Sequence, residues 1–169
     1  MSVYSVDKLI VEARRLAREF YRATGKPLPG VSAELALYDA IHYLGLTAVE
    51  NSEARGYDAV GNGKNSNLKY QIKGRVIFDD QKSGQRVGQL RMDQNWDRVV
   101  LVLMDDGFDA TDIYQAERHD IEQAMLDSQS SSRKHRGALS VAKFKMISDL
   151  VWTREQGLMA DDVWSNSGK

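Results

Sequence analysis

The sequence predicts a mixed α/β fold in which one central β-sheet is flanked by helices. Three observations lead there. Apolar residues recur every three or four positions near both ends of the chain, which is the helical period. In the middle, Leu68, Tyr70 and Ile72 alternate with Lys69, Gln71 and Lys73 at the strand period of two. Further on, Val99-Val100-Leu101-Val102-Leu103-Met104 runs without a polar interruption, as a strand covered on both faces does. A chain of 169 residues that is 42% apolar suffices for one packed core and leaves little room for a second. A single domain is therefore expected over residues 1–160, with residues 161–169 a flexible tail.

The first helix is expected over residues 6–23, where Leu9, Ala13, Leu16 and Phe20 form a stripe widened by Ile10, Ala17 and Tyr21. Ser5 suits its N-cap. Lys26-Pro27-Leu28-Pro29-Gly30 breaks the pattern, because proline has no amide donor and glycine no helical preference. Ser32 can cap a second helix whose apolar face is Ala33, Leu37, Ala40, Ile41 and Leu44, ending at Gly45. Residues 46–49 and 57–60 read as short strands, 61–67 as a polar loop, and 68–75 as a longer strand. Asp105-Asp106-Gly107 turns the apolar strand into a hairpin partner at 108–114. Helical patterns return over 119–127 and 141–152, separated by the polar stretch 128–137.

Charge and composition narrow the function. Twenty-four acidic against 23 basic residues give a net charge of −1, so a nucleic-acid partner would have to be met by a local patch. The absence of cysteine removes disulfides, thiolate metal sites and thiol nucleophiles, and is compatible with a reducing cytoplasm. No apolar run approaches the roughly 18 residues of a membrane helix, and the first ten residues carry no signal-peptide pattern. A cytoplasmic protein without a membrane partner is expected.

Gln71 and Lys73 lie two apart on a strand and so project from one face, while Ile72 enters the core. Folding of the 61–67 loop can bring Asp58 beside them. An acid, an amide oxygen and an ammonium at one strand edge suit a hard divalent cation and a water nucleophile acting on a phosphodiester. An exposed hairpin with ordinary surface charges is the alternative. Glu34 lies on the same side of its helix as Leu37 and Ile41, where a carboxylate needs a cation or a hydrogen-bond donor. Snorkelling at the edge of the stripe, or binding to the helix N-terminus, would also satisfy it.

At these residues the chain resembles the PD-(D/E)xK nuclease superfamily, whose fold is restriction-endonuclease-like. The match runs through Ala33-Glu34-Leu35-Ala36, Gly45-Leu46-Thr47, Gly56-Tyr57-Asp58-Ala59-Val60 and Tyr70-Gln71-Ile72-Lys73. It is most similar to small type II restriction endonucleases over residues 32–75 and extends weakly through the buried strand. Tyr57 stands where proline is usual, and Gln71 replaces the usual acid. The resemblance implies a Mg²⁺ ion, with Mn²⁺ as a substitute, held by Asp58, Glu34, Gln71 and the Ile72 carbonyl. Lys73 would then orient or help deprotonate the attacking water and offset charge in the transition state. It implies hydrolysis of phosphodiester bonds in DNA, in restriction or another genome-defence role, with a homodimer expected for duplex cleavage. A non-catalytic nucleic-acid-binding or complex-forming module on the same fold is the alternative, because a neutral amide binds a divalent cation less strongly than a carboxylate.

Arg75, on the same strand face, is a candidate phosphate contact. Arg133, Lys134 and Arg136 open a stretch, residues 128–147, with five basic and no acidic side chains, which reads as a phosphate-contact surface for DNA or else as a flexible solvated loop. Lys82, Arg86 and Arg91 form a second candidate phosphate-contact surface for DNA, partly offset by Asp93. The site also sets a geometric requirement. Asn62-Gly63 favours a two-residue turn, which would place Asp58 opposite Asn67, about 13 Å from Gln71 at roughly 3.3 Å per residue. A shared site needs a longer loop over 62–67, with Gly61 near Leu68 and Asp58 near Gln71, and Glu34 directed at Asp58 and Lys73.

Overall fold

The computed structural model describes residues 5–79, 84–128 and 139–159. Helices α1 (Val6–Thr24) and α2 (Val31–Leu44) come first, followed by β1 (Thr47–Ala48), the single turn α3 (Ser52–Arg55) and β2 (Ala59–Val60). Then come β3 (Lys69–Val76), β4 (Arg98–Met104), β5 (Ala110–Glu117), α4 (Arg118–Ser128), α5 (Val141–Ile147), β6 (Asp149–Thr153) and β7 (Gly157–Leu158). The seven strands form one mixed sheet in sequence order. All neighbours are antiparallel except β3 and β4, which run parallel from Tyr70 opposite Arg98 to Val76 opposite Met104. No described helix is long and apolar enough to cross a membrane.

The expected central strand is β4, where Val99 through Met104 are all buried. Its side chains alternate between two cores, as strand geometry requires. Val100, Val102 and Met104 meet Leu35, Ala36 and Ala40 of α2 on one face. Val99, Leu101 and Leu103 meet Trp96, Ile121 and Phe144 on the other. The alternation of β3 is also found: Tyr70, Ile72 and Val76 belong to the α2 side, so Gln71, Lys73 and Arg75 face the opposite layer.

The boundaries of α1 and its Ser5 cap follow expectation, the Ser5 hydroxyl accepting from the Lys8 amide at 3.4 Å. Its buried face follows only in part. Ala17 is buried and Ile10, Ala13 and Tyr21 pack on the core, whereas Leu9 is 49% and Leu16 57% exposed. A buried ion pair sets this rotation: the Arg14 guanidinium binds both the Asp39 carboxylate of α2 and the Phe108 carbonyl in the β4–β5 turn. The stripe of hydrophobicity is thus turned aside by a charge that must be paired.

In α2 Ala40 is buried and Ile41 and Leu44 pack on the core as expected, but Leu35, Ala36 and Asp39 are buried too while Ala33 is exposed, and Gly30 in the left-handed region, rather than Ser32, caps the helix. Close approach to the sheet explains the small residues. A Cβ placed on Gly74 of β3 would lie 2.5 Å from Ala36 Cβ and 2.8 Å from the Ser32 carbonyl. Gly74→Ala is therefore expected to destabilise by about 1–3 kcal/mol through overpacking, read as a lower urea midpoint; an unchanged midpoint would mean that α2 does not press on β3 here.

The helix expected over 141–152 stops at Ile147. Ser148 is extended, and Asp149–Thr153 pairs with β5 instead. Leu150, Val151, Trp152 and Thr153 are good strand formers, and Ser140, accepting from the Lys143 amide at 3.1 Å, caps only a short helix before them. Residues 129–138 and 160–169, which contain Arg133, Lys134, Arg136 and the expected tail, lie outside the described residues, as does Lys82.

Candidate active site

The site is built where β2 ends beside β3. Two-residue turn geometry needs positive φ at both central residues, but Asn62 is extended at φ −123°. Its side chain is used elsewhere: the amide nitrogen donates to the Gly45 carbonyl and the oxygen accepts from Thr47 Oγ1 at 3.0 Å. The chain instead makes a short 3₁₀ turn over Gly63–Asn65 and closes with the Gly61 amide on the Leu68 carbonyl at 3.0 Å. Ala59 then pairs with Tyr70 and Val60 with Lys69. This is the longer-loop register, with Asp58 carried to Gln71.

Asp58 extends the ladder with its side chain. Its amide donates to the Tyr70 carbonyl at 2.7 Å, and its Oδ2 accepts from the Ile72 amide at 2.7 Å. The carboxylate thus occupies the place that a backbone carbonyl would hold if β2 continued. Because the amide and carbonyl of one strand residue point the same way, the Ile72 carbonyl opens toward the same edge. No direct ion pair joins Asp58 to Lys73, although the Asp58 charge acts on it.

Gln71 is 3% exposed, and its Nε2 donates to the carbonyls of Gly56 and Arg91 at 3.4 Å each. Its Oε1 is buried and has no hydrogen-bond donor among the described residues. A buried amide oxygen in that condition is unfavourable unless something electropositive meets it. Gly56 keeps this wall close. A Cβ there would fall 2.5 Å from Gln94 Cβ, and its φ of +79° suits glycine.

Lys73 is partly buried. Burial lowers its pKa from the ordinary lysine value, Asp58 opposes that shift, and the Arg91 and Arg75 charges add to it. Arg75 commits Nε to the Arg86 carbonyl and Nη1 to the Gly74 carbonyl, and lies against Gly88. That makes it a clamp on the segment after β3 more than an open phosphate contact. Arg86 is exposed and its carbonyl holds this clamp.

Glu34 stays apart from these residues. It is exposed, on a helix that covers the Tyr70 and Ile72 side of the sheet, and lies about 180° around α2 from Ser32 and Ala36, which press on Gly74. It is not among the charges that act on Lys73. Three of the four expected residues, Asp58, Gln71 and Lys73, are brought to one strand edge; the requirement that Glu34 join them is not met. Among the described residues no three acidic or histidine side chains gather as a metal cage.

Arg91, read in the sequence only as one of a basic group with Lys82 and Arg86, has links to Gln71 and Trp96 that the sequence did not reveal. Its carbonyl accepts from Trp96 Nε1 at 2.6 Å as well as from Gln71, and its charge reaches Lys73. The spacing of a loop residue carries no such signal. No protein-family model matches the chain, and no curated protein matches it significantly.

Proposed function

We propose that this chain has a restriction-endonuclease-like fold of the PD-(D/E)xK superfamily and hydrolyses phosphodiester bonds in DNA with Mg²⁺. The observation that carries this reading is the pairing of the Asp58 carboxylate with the Ile72 amide, next along the strand to Gln71, whose Oε1 is buried without a donor among the described residues, and to Lys73. These residues fit a hard cation: Asp58 and Gln71 would hold it, with the Ile72 carbonyl as a further oxygen. When bound, Mg²⁺ would lower the pKa of a water and withdraw charge from the phosphate.

The chain's own groups do the rest. The Ile72 amide fixes the Asp58 carboxylate, so its orientation needs no reorganisation during the reaction. Lys73 holds or relays a proton at the attacking water and offsets negative charge on the phosphoryl oxygens; its lowered pKa makes proton release easier than from a solvated lysine. Cutting both strands of a duplex would call on two copies of the site, as in a homodimer, and defence against foreign DNA is a setting that suits such an activity.

A second reading, a DNA-binding module with no catalysis, follows from Glu34 standing apart. That leaves Asp58 as the carboxylate of the site and the geometric requirement for a shared cation only partly met. Incubation of supercoiled plasmid separates the two. Nicking that requires Mg²⁺, stops in chelator and falls by at least about a hundredfold in Lys73→Ala supports the nuclease. DNA binding with no nicking at any Mg²⁺ or Mn²⁺ concentration supports the module.

A further inference from the structure

The charges of Asp58, Arg75 and Arg91 all act on Lys73, and the three cations differ in what their charged ends have left to offer. Lys73 is half-buried on the strand. Arg75 is tied to two carbonyls. Arg91 combines a fixed backbone with an exposed, largely uncommitted guanidinium. Its carbonyl is a junction for the indole of the buried Trp96 at 2.6 Å, the Gln94 amide at 3.1 Å and the Gln71 side chain at 3.4 Å. Its guanidinium gives one hydrogen bond, from Nη1 to the Glu53 carbonyl at 3.1 Å, and pairs with no carboxylate among the described residues. Among the described residues four of its five guanidinium donors have no partner, on a residue whose carbonyl accepts from the Gln71 side chain.

We propose that Arg91 is the phosphate anchor of this site, holding a DNA backbone phosphate there before any divalent cation is bound. The inference rests on reading the site as one that takes a phosphodiester. Its reason is electrostatic. With one carboxylate against three cations, the free site favours an anion over Mg²⁺, and a captured phosphate would supply the negative charge that Gln71 does not. Arginine suits the task because its planar fork can meet two phosphate oxygens at once.

The test is the anisotropy of a short fluorescent duplex titrated with the full chain in chelator, over a range of salt. Wild type is expected to bind without metal. Arg91→Gln, which keeps an amide donor for Glu53 but removes the charge, should weaken binding by about tenfold and reduce the slope of log affinity against log salt by about 0.9. Arg91→Lys should retain the slope while losing part of the affinity. Equal melting temperatures would show that the fold is kept. An unchanged salt slope in Arg91→Gln, or no metal-independent binding by wild type, overturns the proposal. The nuclease reading stands or falls separately: Mg²⁺-dependent nicking that requires Asp58 but ignores Arg91 removes only the anchor, whereas Arg91-dependent binding without nicking removes only catalysis.

Discussion

Replacing Asp58 with asparagine is expected to reduce Mg²⁺-dependent cleavage of DNA by at least about a hundredfold while leaving the fold intact. The asparagine oxygen can still accept from the Ile72 amide, which Asp58 Oδ2 now binds at 2.7 Å. What disappears is the one negative charge at the strand edge. Glu34→Gln is the informative contrast. Because Glu34 is exposed and apart from Lys73, its substitution should alter the cleavage rate by no more than about twofold, as for an exposed residue that touches no part of the site. Initial rates on supercoiled plasmid measure both. Wild-type cleavage by Asp58→Asn would remove the site, and a large loss in Glu34→Gln would restore the helix acid to it.

The largest loss of stability is expected at Arg14. Its partner Asp39 has a side chain only 2% exposed, and Arg14 itself is 12% exposed. Arg14→Met leaves that carboxylate buried without its cation, at a cost of about 3–5 kcal/mol in chemical denaturation at neutral pH. Burial already pushes the Asp39 pKa up, against the pull of Arg14. Without the guanidinium it rises further, so the deficit should be full above that pKa and shrink as acid protonates the carboxyl. Arg14→Met combined with Asp39→Leu should recover most of the stability, because the damage is an uncompensated charge rather than a missing attraction. A double variant no better than the single would show that the pair itself holds α1 to α2.

Those two sites also mark where the sequence was legible. Period-two alternation on β3 and the unbroken apolar run of β4 read correctly, because local geometry alone decides which faces they bury. The face of α1 read correctly only for Ile10, Ala13, Ala17 and Tyr21. Leu9 and Leu16 outweigh the Ile10 and Ala17 side in hydrophobicity, yet the Arg14 pairing, made across 25 residues of sequence, turns them outward. The same holds for Glu34, placed on the apolar side of α2 by its spacing from Leu37 and Ile41. The small residue Ala36 and the Ser32 backbone instead lie against Gly74, which turns Glu34 away. At the strand edge, the order Asp58, Gln71, Lys73 was readable, and its register depended on Asn62 having distant partners in Gly45 and Thr47. β6 was hidden by a helical spacing that continued past Ile147, where pairing with β5 prevails over local pattern. Arg91 could not be distinguished from other loop arginines, since its place depends on Trp96 and Gln71.

The cation site itself can be observed directly by adding Mn²⁺ to the isotope-labelled chain and following the loss of backbone amide signals to paramagnetic broadening, with and without a short duplex. A cation between Asp58 and Gln71 is expected to erase the Asp58, Gln71 and Ile72 amides first, at lower Mn²⁺ when DNA is present, and to spare those of α1. Retention of the Asp58 and Ile72 signals at Mn²⁺ concentrations that broaden exposed acidic residues elsewhere would contradict a metal-dependent site at this strand edge.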